Sequence, residues 1–277
     1  MNNRQFLVPW FQRLLLAAAA ISAAACVQEN GWNSEHWPAD DNSIVTIDHN
    51  LWQQTLNDYL LPAYNDVNRV DYAGLKHDGM TTLNKYLAEM SSVDLASVRR
   101  DEQMAFWINV YNAMTFKVIA EAWPVESILT LDNGKGPWDR PVFENNQRVL
   151  SLNDIEHRLL RGLWNEPRIH FAVNCASIGC PDVQPIAFTG QNLESLLTLA
   201  AQNFLRHPRA VRREGTTLHL SSLFDWYADD FGNNKTAVRD SLANMGDTAT
   251  ATRLTMPADE IAYAYDWGIN GPESEPH

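Results

Sequence analysis

The chain has 277 residues, 45% of them hydrophobic, which suits a globular core and allows one large domain or two small ones. Its formal net charge is −13. Such an acidic balance argues against nucleic-acid binding, which rests on Lys and Arg neutralising phosphates, and against adsorption on anionic lipid; it suits a soluble surface.

The first 25 residues read as an export signal. Arg4 and Arg13 precede an apolar run, Leu14 to Ala25, that is shorter than the ~20 residues a membrane span needs. The run closes on Ala23-Ala24-Ala25, a small-residue cleavage pattern. Removing residues 1–25 takes away two arginines and no acid, so −13 becomes −15. Cys26 follows the cut directly. This placement resembles a bacterial lipobox, with Ala23 where lipoboxes usually carry Leu, and predicts a lipidated first residue. Cleavage after Ala25 with no lipid is the alternative. Val27 lacks the aspartate that commonly signals inner-membrane retention, so the expectation is an exported, periplasmic protein held at the outer membrane through Cys26.

Residues 26–47 are polar, turn-rich and aperiodic, and are expected to form the lipidated N-terminus and a flexible tether. Regular patterning begins at Asp48. Trp52, Leu56, Tyr59 and Leu60 lie at helical spacing behind Asp48 as a possible N-cap. "VNRVDYAGL" reads as extended, and "TTLNKYLAEM" as a helix with Leu83, Leu87 and Met90 on one side. "DEQMAFWINVYNAMTFKVIAEAW" carries apolar residues on every side of a helical wheel, which predicts a buried helix ending before Pro124. "RPVFENNQRVLS" alternates about an Asn-Asn turn, as a hairpin does. Ser151 and Asp154 approximate a capping box for a helix that should stop at Gly162. "RIHFAV" alternates like a strand. "TGQNLESLLTLAAQNFLRHP" is an amphipathic helix, "AVRREGTTLHLS" a second hairpin, and "SSLFDWYADDFG" a short helix stopped by Gly232. "DEIAYAYDWGIN" alternates Ile261, Tyr263, Tyr265 and Trp267 and predicts a closing strand. With no repeat and no mid-chain linker, this pattern predicts one α+β domain over 48–270, followed by a tail at 271–277. Its core would be a buried central helix packed with further helices against a mainly antiparallel sheet.

Several positions in this frame carry chemistry. Asn109 and Asn112 share a face of the buried helix, three residues apart. A buried amide without partners costs ~1–3 kcal/mol, so each must be hydrogen-bonded. They either tie the helix to a neighbouring loop or face a polar cleft and orient groups there. Glu156 and His157 lie about 100° apart on the helix opened by Ser151, so one of them flanks the core face. Strand alternation sets Arg168 and His170 opposite Ile169, Phe171 and Val173. The chain then leaves through Asn174-Cys175-Ala176-Ser177.

Four uses of Cys175 and Cys180 compete. A Cys175–Cys180 disulfide suits an oxidising compartment. A thiolate nucleophile would be activated by His170 or His157. A zinc site would combine His157 or His170 with both cysteines, although C-x4-C is looser than the usual knuckle; no cofactor is otherwise expected. A redox dithiol would have a spacing wider than C-x-x-C.

"VDYAGL", "AFWINVYNAMTFKVI", "LSLNDIEHRLLR", "PRIHFAVNCASIGCP", "LSSLFDWYADDF" and "YDWGIN" together resemble, in order, the blocks of the domain of unknown function 547 family. The resemblance spans most of residues 67–270 and is most specific at "PRIHFAVNCASIGCP". It implies no assigned activity. It does imply a domain used both in exported bacterial proteins and in eukaryotic multidomain chains, which weakens a purely structural disulfide. Its matching positions are Asn109, Asn112, Glu156, His157, His170, Cys175 and Cys180. The order of a buried helix, then His170, then Asp266 is also similar to that of transglutaminase-like and papain-like thiol enzymes. Here the helix offers Asn109 and Asn112 where those enzymes place a cysteine, and fold analogy does not give function.

Two functions are expected from these residues. One is thiol-dependent hydrolysis or acyl transfer, with Cys175 as nucleophile, His170 as base and Asn109 or Asn112 as orienter or oxyanion donor. The other is a non-catalytic envelope module that binds a small molecule or peptide and has its cysteines cross-linked.

Overall fold

The computed structural model describes residues 37–64 and 67–272; the signal-like segment, Cys26 and the end of the tail lie outside these. The central helix, Arg100–Ala122, organises the rest, and every residue from Glu102 to Phe116 is buried. Trp107 shows why. Its ring meets Phe106 at 4.8 Å, Trp37 at 5.2 Å and Phe143 at 6.3 Å, each edge to face. Burying one such side chain stabilises the fold by roughly 1.5–3 kcal/mol. A helix with neighbours on all sides needs apolar residues on all sides, which is the pattern its sequence carries.

Trp37 belongs to the segment expected to be a flexible tether, and for the described part that expectation is corrected. Trp37 and Ile47 are buried in the main core. Arg100 and Gln103 of the central helix donate to the carbonyls of Trp37 (2.9 Å) and Pro38 (2.6 Å).

The next elements follow the predicted order. The helix Asn50–Tyr59 has His49 at its cap position, while the Asp48 carboxylate accepts from the Asn50 N–H at 2.8 Å. The predicted extended piece splits into strand β2, Val67–Val70, paired with β1, Leu60–Tyr64, and a helical turn from Tyr72 capped by Asp71. That turn leads through a π-helical stretch into Met80–Ser91.

The hairpin β3, Pro141–Asn145, with β4, Arg148–Ser151, turns at Asn146 and Gln147, with φ of 50° and 61°. The turn sits one residue beyond the expected Asn-Asn pair. Asn145 is instead buried, and its amide donates to the carbonyls of Met90 and Val93, each at 3.1 Å. Ser151 and Asp154 form a reciprocal cap: the Ser151 N–H donates to Asp154 at 2.9 Å and the Asp154 N–H donates to the Ser151 hydroxyl at 3.1 Å. The helix they open is π-wound over Asp154–Leu160 and does not stop at Gly162. It runs to Trp164 and ends at Asn165 in the left-handed region, φ 48°, which Asn tolerates.

"RIHFAV" is not a strand. Pro167–Phe171 is a 3-10 turn, with the Glu166 carboxylate accepting from the Arg168 N–H at 3.0 Å. Pro at the first helical position and an acid before it are helix-start signals that outweigh the alternation. The alternating apolar residues are buried, but they serve two clusters. Ile169 and Val173 join the main one around the central helix. Phe171 joins a second, with Phe204 of the helix Leu193–Arg206, Phe224 and Phe231.

The second cluster packs beneath a three-stranded sheet. There β5, Val211–Glu214, runs antiparallel to β6, Thr217–Ser221, which pairs in parallel with β7, Glu260–Ala264. The helices Lys235–Met245 and Thr248–Thr255 fill the crossover between β6 and β7. The fold is therefore α+β. Its strands form three small sheets among the described residues, antiparallel except for β6 with β7.

Candidate functional site

The stretch 170–181 runs through the junction of the two clusters, and buried amides hold it there. Asn112 of the central helix donates to the Ala172 carbonyl at 2.9 Å and accepts from the Asn174 N–H at 2.8 Å. Asn174 in turn accepts from the Ala176 N–H at 2.7 Å and donates to the Pro181 carbonyl at 2.7 Å. Asn270 donates to the Asn174 side chain at 3.3 Å and accepts from the Tyr72 hydroxyl at 2.8 Å. These bonds hold Ala176 at φ 61°, an uncommon conformation for a non-glycine residue. Asn109 braces the chain further on, donating to the Phe188 carbonyl at 2.7 Å and accepting from its N–H at 3.0 Å. Asn109 and Asn112 thus spend their amides on backbone rather than on a cleft. Asn174 and Asn270 were not singled out from sequence. Their role depends on contacts across 96 residues.

Cys175 and Cys180 are joined in a disulfide. Cys175, the expected nucleophile, therefore has no free thiol in this state. Disulfide sulfurs only accept, so the Tyr265 hydroxyl, 3.1 Å from Cys175 Sγ and 3.0 Å from Cys180 Sγ, donates to them. The loop between them is pinned to the segment after β7. The Ile178 and Gly179 N–H groups donate to the Gly268 and Asp266 carbonyls, both at 2.8 Å. A Cβ at Gly179 would lie 2.9 Å from the Asp266 backbone, so only glycine allows this approach.

His170 is 1% exposed, and its ring stacks on Tyr227 at 4.1 Å. Its Nε2 is 2.6 Å from Asp230, and its Nδ1 is 4.0 Å from Glu156. Both nitrogens face carboxylates. The carboxylate that pairs closely with it is Asp230, not the late Asp266, whose side chain accepts from the Gly268 N–H at 2.8 Å. Arg168, expected beside His170 on an open face, turns away to Glu166 and Glu194. Arg161 completes the cluster, with two hydrogen bonds to Asp230 at 2.5 and 2.8 Å. Burial alone would raise the Asp230 carboxyl; the bonds from His170 and Arg161 more than offset it and hold it below the usual carboxylate range.

Of the Glu156–His157 pair, Glu156 points inward. It is buried and accepts from the Tyr111 hydroxyl at 2.9 Å. Burial first, and the Glu156 charge second, push the Tyr111 and Tyr227 phenols far above their ordinary pKa, so they stay protonated donors. His157 lies half-buried, 3.3 Å from Arg161.

These groups end in one cavity of about 210 Å³. Glu156, His170 and the two cysteines reach it, and its walls include Tyr111, Val173, Pro181 and Leu223. One side is an aromatic cluster. Trp226 stacks on Trp267 at 5.5 Å, Tyr265 meets them at 4.8 and 4.6 Å, and Trp138 meets Trp267 at 6.0 Å. The alternation through Tyr265 and Trp267 predicts only a closing strand, but β7 ends at Ala264 and both residues lie beyond it. Asp230, Arg161 and Tyr227 had no local signal, because their partners are brought in by the fold. Among the described residues no group of three or more His, Cys, Asp or Glu is arranged to hold a metal ion. The sulfurs a zinc site would use are bonded to each other.

No curated protein and no solved structure matches the chain. Residues 95–205 match the family described as "Protein of unknown function, DUF547". The matched span holds the central helix, Glu156, His170 and both cysteines, and stops short of Tyr227, Asp230 and the tryptophans at 226 and 267. Over residues 95–205 the chain is similar to the DUF547 family.

Proposed function

We propose that this protein is a ligand-binding module of the cell envelope, in which the Cys175–Cys180 disulfide closes one wall of the pocket and does no chemistry. The observation that carries the reading is the cavity itself. It is aromatic-walled, has a few convergent polar groups at its floor, and has both candidate thiols tied up in a bond. The volume bounds the ligand. About 210 Å³ exceeds the ~150 Å³ of an apolar cavity that holds benzene, and is below the ~300–1,000 Å³ typical of drug-sized ligands. The pocket takes a single headgroup or one side chain of a peptide, with the rest of the molecule outside past Trp226, which is 48% exposed.

Export supports the same reading. We take the signal-like N-terminus as an export signal and Cys26 as an outer-membrane anchor, a reading supported by the persistence of disulfides in an oxidising compartment. Mass spectrometry of the native protein tests both halves. The mature N-terminus should carry lipid on Cys26. Iodoacetamide applied without reductant should leave Cys175 and Cys180 unmodified, and both should alkylate after reduction and unfolding. An alkylated Cys175 in the unreduced, folded protein returns the thiol-enzyme reading and removes this one.

A further inference from the structure

Resting on that ligand-pocket reading, we infer that the group the pocket receives is a small organic cation, an alkylated or quaternary ammonium. Ring faces carry negative electrostatic potential and attract cations, most strongly when water is excluded. Here Trp138, Trp226, Tyr265 and Trp267 line one cavity together with Glu156.

The charge balance points the same way. Asp230 lies behind the pocket and is matched by Arg161, which spends two hydrogen bonds on it. His170, the cationisable group on the lining, is held through Nε2 by Asp230, with its other nitrogen 4.0 Å from Glu156. The close donor to Glu156 is the uncharged phenol of Tyr111. Glu156 has the Tyr111 hydroxyl at 2.9 Å and His170 at 4.0 Å as its polar neighbours, and a buried carboxylate favours a cation beside it. The size agrees as well, because the cavity holds one compact headgroup and no more. Most of the aromatic wall lies outside residues 95–205, so this specificity belongs to the C-terminal part of the chain.

Tryptophan fluorescence of the unreduced protein tests the inference, titrating with choline and with tetramethylammonium. Neutral 3,3-dimethylbutan-1-ol, which has choline's shape without its charge, is the control, and acetate is the anionic probe. The expected result is a saturable response to both cations, with choline bound at least about tenfold more tightly than its neutral isostere, and no response to acetate. Glu156→Gln, which keeps an acceptor for Tyr111, should bring choline and the isostere to within about threefold of each other. Trp226→Ala at the rim should weaken choline binding. If Glu156→Gln fails to fold, the choline-to-isostere ratio of the unaltered protein decides alone. Equal or tighter binding of the isostere overturns the cation and leaves the ligand pocket standing. No saturable response to any probe overturns both.

Discussion

Replacing Asn112 by Ala tests whether the central helix braces the pocket or serves chemistry in it. The Asn112 amide lies in the interior, 3% exposed, and makes one bond to the Ala172 carbonyl and one to the Asn174 N–H. The variant leaves both backbone groups in the interior with no side chain able to reach them. An orphaned buried polar group costs ~1–3 kcal/mol, so two cost about 4 kcal/mol in the middle of the range. For a domain of this size each kcal/mol lowers the melting temperature by ~2–4 °C, giving a fall of about 8–16 °C. Differential scanning calorimetry of the unreduced protein measures it. Asn112→Asp is the sharper companion. It keeps the acceptor for the Asn174 N–H but turns an oxygen towards the Ala172 carbonyl, so it should be at least as unstable as the alanine variant. A melting temperature within about 2 °C of the unaltered protein for Asn112→Ala refutes the brace and restores Asn112 as a group free to act in a site.

Reduction should be costly as well. The disulfide spans five positions in sequence, and a loop of that length stabilises by about 2 kcal/mol in the chain-entropy account, so excess dithiothreitol should lower the unfolding free energy by that amount; no change in urea midpoint would count against a structural bond. His49 sets a pH dependence. Burial depresses it to about 4, overcoming the nearby Asp48, from an unfolded value near 6.5. The folded state therefore binds fewer protons than the unfolded one between these values, and stability present above pH 6.5 falls by about 2 kcal/mol on reaching pH 5. A His49→Phe variant should lose distinctly less over the same interval, and an equal loss would show that another group titrates. Trp107→Ala, at the crossing of three aromatic contacts with no exposure, should cost about 3–5 kcal/mol by chemical denaturation. Ser151→Ala removes half of a reciprocal cap and should cost only about 1 kcal/mol.

The residues of the site divide by how far apart their causes lie. Ser151 and Asp154 could be paired from sequence because a capping box needs only three residues and their backbone. The burial of the central helix was legible because no side of it could face water. The alternation of "RIHFAV" misled, since Ile169 and Phe171 are both apolar for reasons a strand would share, yet they enter different cores. Pro167 behind Glu166 was the local signal that should have weighed more.

By itself the sequence determined the α+β composition, the buried helix, both hairpins, and the requirement that Asn109 and Asn112 be satisfied. These follow from local periodicity and from the cost of burying an unpartnered amide. Only the tertiary structure decided who satisfies whom. His170 finds Asp230 across 60 positions, Asn174 finds Asn270 across 96, and Tyr265 reaches Cys175 across 90. No spacing rule encodes such pairs, because they exist only once two apolar clusters have closed on each other and water has been removed from the seam between them.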